Sequence, residues 1–262
     1  MKFERLEKIE ELLNLSGSVT VKQLSDELGV SKETIRKDLD YLASKRKIGR
    51  VHGGAYSFLA NKSVPFKARN SMLANIKNDI ATSTAKLITN QGNISLFFDS
   101  ASTSLRVLKV LSATGRKFTG ITNSVECLNF ALTKPTLDFY TEGGKLNKDN
   151  LSFEAENVSD YAKYSADYAI LSPTGIDIKC GITDKDPIVA KTMQVFIQRA
   201  KKVYLVADHT KIDSVNTFTV GNLDQIDGII TDKVSDPKNW SITAKKNDFL
   251  FKETNSDKQK NN

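Results

Sequence analysis

The sequence predicts an α/β chain in two parts, a small helical domain followed by a larger one built on a parallel sheet. Three observations carry this. The chain has 262 residues, more than the roughly 100–200 of one domain. Up to about residue 60 apolar residues recur at steps of three and four, and beyond it short apolar runs such as "ISLFF" and "VYLVA" alternate with helical patterns. With 39% hydrophobic and 26% charged residues, the composition is that of a folded globular protein.

Phe3, Leu6, Ile9 and Leu13 fall on one face of a first helix, with Glu4, Glu7, Lys8 and Glu11 around the rest, and the pattern ends near "NLSG". Thr20 caps a short second helix with Val21, Leu24 and Leu28 as its inner stripe, and Gly29 stops it. Ser31 caps a third helix, where Glu33 meets the positive end of the dipole. Ile35, Leu39 and Leu42 point within about 60° of one another and face the core. Glu33, Arg36, Lys37 and Asp40 are then left outside, and Ser31, Lys32 and Thr34 occupy the helix entrance. The run "KRKIGRVHGGAYS" reads as a small hairpin with paired glycines.

Three short helices and a hairpin make the winged variant of the helix-turn-helix, whose later helix enters the major groove of DNA. The formal charge is +7. Between Ser31 and His52 the basic residues Lys32, Arg36, Lys37, Lys45, Arg46, Lys47 and Arg50 outnumber Glu33, Asp38 and Asp40, although the first helix is acidic. Positive charge is concentrated where phosphates would lie.

The boundaries follow the change of texture: a winged helical domain over 1–57, a linker over 58–74, an α/β domain over 75–250 and a polar tail over 251–262. Runs from Ile94 onward suggest βαβ units and a Rossmann-like parallel sheet. "FFDSASTSL" sets Asp99, Ser100, Ser102, Thr103 and Ser104 between a strand and a helix, where hydroxyls and helix N–H groups can surround a phosphate. A Ser/Thr-rich turn of this kind also serves as an ordinary cap.

The third helix resembles the signature of the DeoR family of bacterial transcription regulators, roughly Ser-x-x-Thr-Ile-Arg-x-Asp-Leu followed by a wing ending in His-Gly-Gly-Ala. Ser31, Thr34, Ile35, Arg36, Asp38 and Leu39 match, as do His52, Gly53, Gly54 and Ala55. Thr34 and Lys37 are then candidates for base edges, and Ser31, Lys32 and Arg36 for phosphates or bases. An acidic side chain facing DNA would be repelled, so Asp38 is expected to pair with Arg36 or a wing residue. Arg50 and His52 either touch the DNA backbone or support the turn, and Gly53 and Gly54 admit a backbone that side chains would obstruct.

The resemblance runs through almost the whole chain and implies a sensor with a fold resembling ribose-5-phosphate isomerase, binding a phosphorylated sugar or related metabolite. By the same likeness the effector residues are Asp99, Ser100, Ser102, Thr103, Thr122, Asn123, Gly143, Asp177 and Lys211, on the segments "DSASTS", "ITNS", "EGG", "GID" and "ADHTK". Four positions depart from the pattern. Ala101 replaces a glycine, Glu154 stands near another, and Val189 and Met193 stand where the family places a glutamate and a lysine.

The implied function is a repressor of a sugar-utilisation operon that binds a double-stranded DNA operator as a homo-oligomer, dimer or tetramer. The alternative is a sugar-phosphate isomerase-like enzyme with Asp99, Glu142, Asp177 or Lys211 as acid–base groups, and a third reading is a protein-docking module. No catalytic residue or cofactor is expected of such a regulator, and no disulfide framework or zinc site is indicated, since Cys127 and Cys180 stand far apart and outside any Cys-x-x-Cys pattern. Few thiols, a charged start unlike a secretory signal, and no apolar run near the roughly 20 residues of a membrane span suggest a cytoplasmic protein without a membrane partner.

Overall fold

A computed structural model of the chain describes residues 2–16, 18–45, 47–51, 53–57, 64–88 and 92–254. The chain divides into two compact units, Met1–Ala74 and Asn75–Asn262. The first holds α1 (Lys2–Ser16), β1 (Ser18–Thr20), α2 (Val21–Leu28), α3 (Lys32–Ser44), β2 (Ile48–Val51), β3 (Gly54–Ser57) and α4 (Phe66–Ser71). It is a winged helix-turn-helix.

Local signals set its first turns. Thr20 and Gln23 form a reciprocal capping box at the start of α2, and Gly29 ends that helix in the left-handed conformation with φ 63°. Ser31 accepts from Thr34 N and opens α3. Leu6, Ile9, Leu13, Val21, Leu24, Ile35, Leu39 and Leu42 meet Ile48 and Ala55 in one core. Phe3, expected on the inner stripe of α1, is instead 76% exposed, because it stands in the first turn beyond the reach of that core.

The wing is three-stranded, in the order β1-β3-β2. The strand of Ser18–Thr20 was not expected; its three residues pair antiparallel with Gly54–Tyr56. At Gly54 a side-chain carbon would come within 2.3 Å of Val19 O, so the glycine is needed where β1 crosses the wing. Gly53 takes φ 83° and its carbonyl accepts from Val21 N, joining the wing to the start of α2.

The expected partner of Asp38 is corrected. Its carboxylate, 3% exposed, accepts from Arg5 Nε (2.6 Å) and Nη2 (3.2 Å) on α1, and not from Arg36 or a wing residue. Three residues after Ile35 and one before Leu39, Asp38 lies at the edge of the buried face, so it turns inward to the neighbouring helix. The stretch expected as a linker carries α4, and residues 58–63 lie outside the described ones.

The second unit begins with α5 (Ala74–Ala85), followed by β4 (Ile94–Phe98), α6 (Ser102–Ala113), β5 (Phe118–Thr122), α7 (Val125–Ala131) and β6 (Leu137–Tyr140). A hairpin of β7 (Lys145–Asn147) and β8 (Ser152–Glu154) comes next, then β9 (Ala166–Leu171), β10 (Gly175–Asp177), β11 (Gly181–Asp184) and α8 (Pro187–Arg199). The chain continues with β12 (Ala200–Val206), β13 (Phe218–Gly221), β14 (Gly228–Thr231), α9 (Pro237–Lys246) and β15 (Leu250–Glu253).

Seven strands form a parallel sheet in the order β15-β14-β12-β9-β4-β5-β6, and β10, β11 and β13 form a smaller antiparallel one. Alternate residues face opposite sides. Phe97, Ala169 and Leu205 join Phe196 of α8 and Trp240 of α9 on one side, while Phe98, Phe118 and Phe139 cluster on the other. From β4 the chain builds outward to β6, then returns to β9 on the other side of β4. The strands therefore diverge in connection between β4 and β9, the switch point at which open α/β sheets bind ligands.

The expected boundary at residue 250 is also corrected. β15 pairs with β14 from Leu250 to Glu253, so Phe251–Glu253 belong to the sheet, while residues 255–262 lie outside the described ones. The polar residues that follow masked this four-residue edge strand.

The Arg5–Asp38 pair predicts an asymmetry. Arg5→Ala strands a buried carboxylate and should cost about 3 kcal/mol, whereas Asp38→Ala leaves an arginine able to reach water and should cost about 1 kcal/mol. Denaturant-dependent hydrogen exchange of α3 amides in the full chain measures both, and equal losses would exclude this account.

Candidate DNA-reading face and effector site

On α3, Ile35, Asp38, Leu39 and Leu42 are buried and Ser31, Lys32, Arg36 and Lys37 are exposed. Thr34 is half-buried, and its hydroxyl lies 2.9 Å from Ser31 Oγ, so the two residues at the helix entrance hold each other. Glu33 lies 3.6 Å from Arg36 and 4.0 Å from Lys37, contacts that are weak in water and leave both cations free to turn to a polyanion. With Asp38 turned inward, the outer face loses one negative charge.

Arg50 of β2 donates to Asp40 Oδ1 (2.8 Å) and to Gly54 O (2.6 Å), and so ties α3 to both strands of the hairpin. Of the two roles open to Arg50, these contacts serve support. His52 lies outside the described residues.

In the second unit the candidate effector residues collect at the carboxyl ends of β4 and β5. Asp99, Ser100, Ser102, Thr103, Thr122 and Asn123 are all buried. Asp99 accepts from Ser172 N (2.6 Å) with one oxygen and Ala101 N (3.0 Å) with the other, joining the ends of β4 and β9 to the α6 entrance. Burial pushes its carboxyl above the usual range, against these N–H groups, which favour the charged form. Asp184 is raised by burial too, and accepts from Thr174 N (3.1 Å) and Asp186 N (3.0 Å).

Thr122 donates to Phe98 O (2.6 Å) and accepts from Ser124 N (3.0 Å), fixing the turn that carries Asn123. The β7–β8 hairpin closes over it: Phe153 N donates to Asn123 O (2.8 Å) and Val125 N to Leu151 O (2.9 Å). The Tyr161 hydroxyl lies 3.4 Å from Thr122 O, Thr141 Oγ1 and Glu142 N, which brings the loop bearing Gly143 to the same place. Gly143 itself has φ 65°.

Asp177 and Lys211 are both placed at β10. Asp177 accepts from Lys179 N and Cys180 N, both at 2.8 Å, and so forms the turn between β10 and β11. The Lys211 carbonyl accepts from Ile176 N of β10. Nearby in sequence, His209 Nδ1 lies 2.7 Å from Asp232 Oδ2 at the ends of β12 and β14.

Sequence reasoning missed Lys77 of α5. It is 5% exposed, and its Nζ donates to Ser102 Oγ (3.1 Å) at the first turn of α6. The signal was its spacing from the buried Ile80, Ala81 and Thr84, three, four and seven residues on.

Each departure from the family pattern has a defined place in the fold. Ala101 sits at φ −84° and ψ 149°, an ordinary extended conformation that needs no glycine. Met193 is buried in the main core, and the partly buried Val189 packs against that core. Glu154 accepts from Asn147 Nδ2 (2.8 Å) across the β7–β8 hairpin. Among the described residues no group of three or more His, Cys, Asp or Glu could hold a metal ion, and no helix is long and apolar enough to cross a membrane.

The chain matches two family models, the DeoR-like helix-turn-helix domain over residues 5–59 and the DeoR C terminal sensor domain over residues 73–233. Curated relatives span nearly its whole length. The HTH-type transcriptional regulator IolR of Bacillus subtilis is 28% identical, over 90% of this chain and 93% of that protein. The HTH-type transcriptional repressor GlcR of Bacillus subtilis is 31% identical over 88% of each. The glycerol-3-phosphate regulon repressor of Haemophilus influenzae is 30% identical over 88% of this chain and 89% of that protein. Among solved structures, ribose 5-phosphate isomerase from Plasmodium falciparum covers 53% of each chain at 15% identity, with a TM-score of 0.39.

Two outcomes follow from the buried groups. The Cys127 thiol is pushed up to about 12 by burial, while Cys180 is exposed. A thiol reagent should therefore titrate Cys180 alone in the folded chain and both cysteines after denaturation. The raised carboxyl of Asp99 favours the folded state in acid, and that contribution is lost as pH rises through its folded-state value. Relative to Asp99→Asn, the wild type should lose stability from the ordinary carboxylate range towards neutrality. A difference that stays flat with pH would contradict this.

Proposed function

The chain belongs to the DeoR family of transcription regulators, and from that membership we propose that it represses a sugar-utilisation operon under the control of a phosphorylated sugar or related metabolite. The observation that carries the reading is the two-faced α3, with Lys32, Arg36 and Lys37 exposed above a buried Ile35, Leu39 and Leu42. A face of this kind suits the major groove of a DNA operator. Ser31, Lys32, Thr34, Arg36 and Lys37 make the contacts, and Arg50 seats the wing.

The effector lies at the strand ends, against Asp99, Ser100, Ser102, Thr103, Thr122, Asn123 and Gly143. Lys211 is the cationic candidate, and Asp177 shapes the β10–β11 turn. The glycerol-3-phosphate regulon in one relative's name supports an effector of the phosphorylated class. Binding, and not turnover, is the role of this site: the relatives that span the chain are named as regulators, and a fold shared with enzymes does not bring their chemistry. The protein acts in the cytoplasm as a dimer or tetramer on repeated or palindromic half-sites, without cofactor or metal. Effector binding favours an arrangement of sensors that spaces the DNA-reading heads poorly.

Fluorescence anisotropy with the chain's own promoter region tests this with and without a panel of sugar phosphates. The operator should bind tightly and loosen with at least one of them, and no change across the panel would sink the sensor reading. Arg36→Ala should weaken binding by about 1–3 kcal/mol without lowering the melting temperature, since its side chain is exposed. Unchanged operator affinity at near-physiological salt would remove Arg36 from the interface.

A further inference from the structure

Asp40 stands where a carboxylate is least expected. It lies on α3 one turn beyond Arg36, on the exposed face of the helix, and its side chain is 67% exposed. Phosphates repel a charge of this sign, so on electrostatic grounds alone a DNA-reading face would bind better without it. Fold stability does not account for it either, because an exposed ion pair contributes about 1 kcal/mol or less. The buried carboxylate of this helix is Asp38, two residues earlier.

What Asp40 holds is the wing. Its Oδ1 accepts from Arg50 Nε (2.8 Å), and the same guanidinium donates through Nη1 to Gly54 O (2.6 Å) on the opposite strand. Arg50 pairs with Ala55 and Val51 with Gly54, so this brace acts beside the turn of the hairpin. The base of the wing is held separately: Lys47 N donates to Leu42 O (3.1 Å), and Ile48 enters the core. From the other side, Gly54 pairs with Thr20 of β1, and Gly53 O accepts from Val21 N of α2 (2.7 Å). The Arg50–Asp40 pair adds the tie from the tip of the wing to the outer face of α3.

We propose that Asp40 is a positioning residue for sequence-specific DNA binding: it fixes the Arg50 guanidinium, and through it the wing tip, beside the recognition face, so that α3 and the wing engage one operator site together. The inference rests on reading α3 as the DNA-reading helix, and it goes beyond that reading by assigning specificity to a residue whose charge opposes binding. An Arg50 paired with Asp40 is withheld from phosphates, so the carboxylate lowers attraction to DNA of any sequence while it raises discrimination. Removing it has opposite consequences under the two accounts. Electrostatics alone gives tighter binding to every duplex. Positioning gives weaker binding to the operator and no weakening on unrelated DNA.

The test uses the full chain in fluorescence anisotropy, with a duplex from its own promoter region and a shuffled duplex of equal length and composition. In Asp40→Asn the promoter dissociation constant should rise about tenfold, the size of one lost specific contact, while that of the shuffled duplex stays level or falls. Asp40→Glu keeps the charge and should retain most of the preference. In an Arg50→Met background Asp40→Asn should change the preference no further, since the carboxylate acts through the guanidinium. Hydroxyl-radical cleavage of the promoter duplex supplies a readout that a merely structural residue does not move: the flank protected by the wing should be lost in Asp40→Asn, with protection opposite α3 retained. Tighter promoter binding by Asp40→Asn, an equal change on both duplexes, a melting temperature well below that of the wild type, or a further loss of preference on adding Asp40→Asn to Arg50→Met each overturns the inference.

The sugar-phosphate panel on the same proteins separates this inference from the regulatory reading. A promoter preference that depends on Asp40, beside an affinity that no sugar phosphate alters, sustains the inference and defeats the sensor reading. Release by a sugar phosphate, together with a preference in Asp40→Asn equal to that of the wild type, does the reverse.

Discussion

A parallel sheet whose crossovers part in two directions leaves a gap where two neighbouring strands send their chains away from each other. Here that gap lies between β4 and β9, and the buried carboxylate of Asp99 spans it. One oxygen holds the chain leaving β9 and the other holds the chain entering α6. The entrance of α6, the register of the following strand end and the hydroxyls of Ser102 and Thr103 are placed by this connection. The carboxylate is held in a setting that disfavours its charge, and the backbone N–H groups that it receives offset part of that penalty. A site of this type is therefore a property of topology first, and of individual contacts second.

What was legible in the sequence was local. Thr20, Gly29 and Ser31 act within three or four residues, so capping chemistry alone places the ends of α2 and α3. Periodicity assigned Ile35, Leu39 and Leu42 to the core for the same reason. The strand β1 escaped because three residues carry no rhythm, and its existence depends on Gly54 of the wing. Asp38 was correctly read as structural, but its partner lies 33 positions away on α1, a distance that no local rule spans.

The sensor shows the same division. A strand-to-helix turn drew attention to Asp99 and Ser102, whereas Thr122 and Asn123 came only with the family likeness. Lys77 lay in plain view at helical spacing from Ile80 and Ala81, yet a lysine in an amphipathic segment reads as solvated until the packing is known. Val189 and Met193 lie on a face of α8 that packs on the sheet, where Phe196 stacks on Phe97 and apolar residues fit.

The Arg5–Asp38 contact also bears on how such domains can be recombined. A recognition helix is often treated as a portable cassette, to be exchanged between scaffolds by swapping the exposed residues. In this chain the cassette has a root in another helix: transplanting 31–44 alone would carry Asp38 into an interior lacking its guanidinium. The smallest transferable module is α3 together with the position on α1 that receives it. Sequence change at either position constrains the other, so a lineage altering its DNA preference is free on the outer face and bound at the inner one.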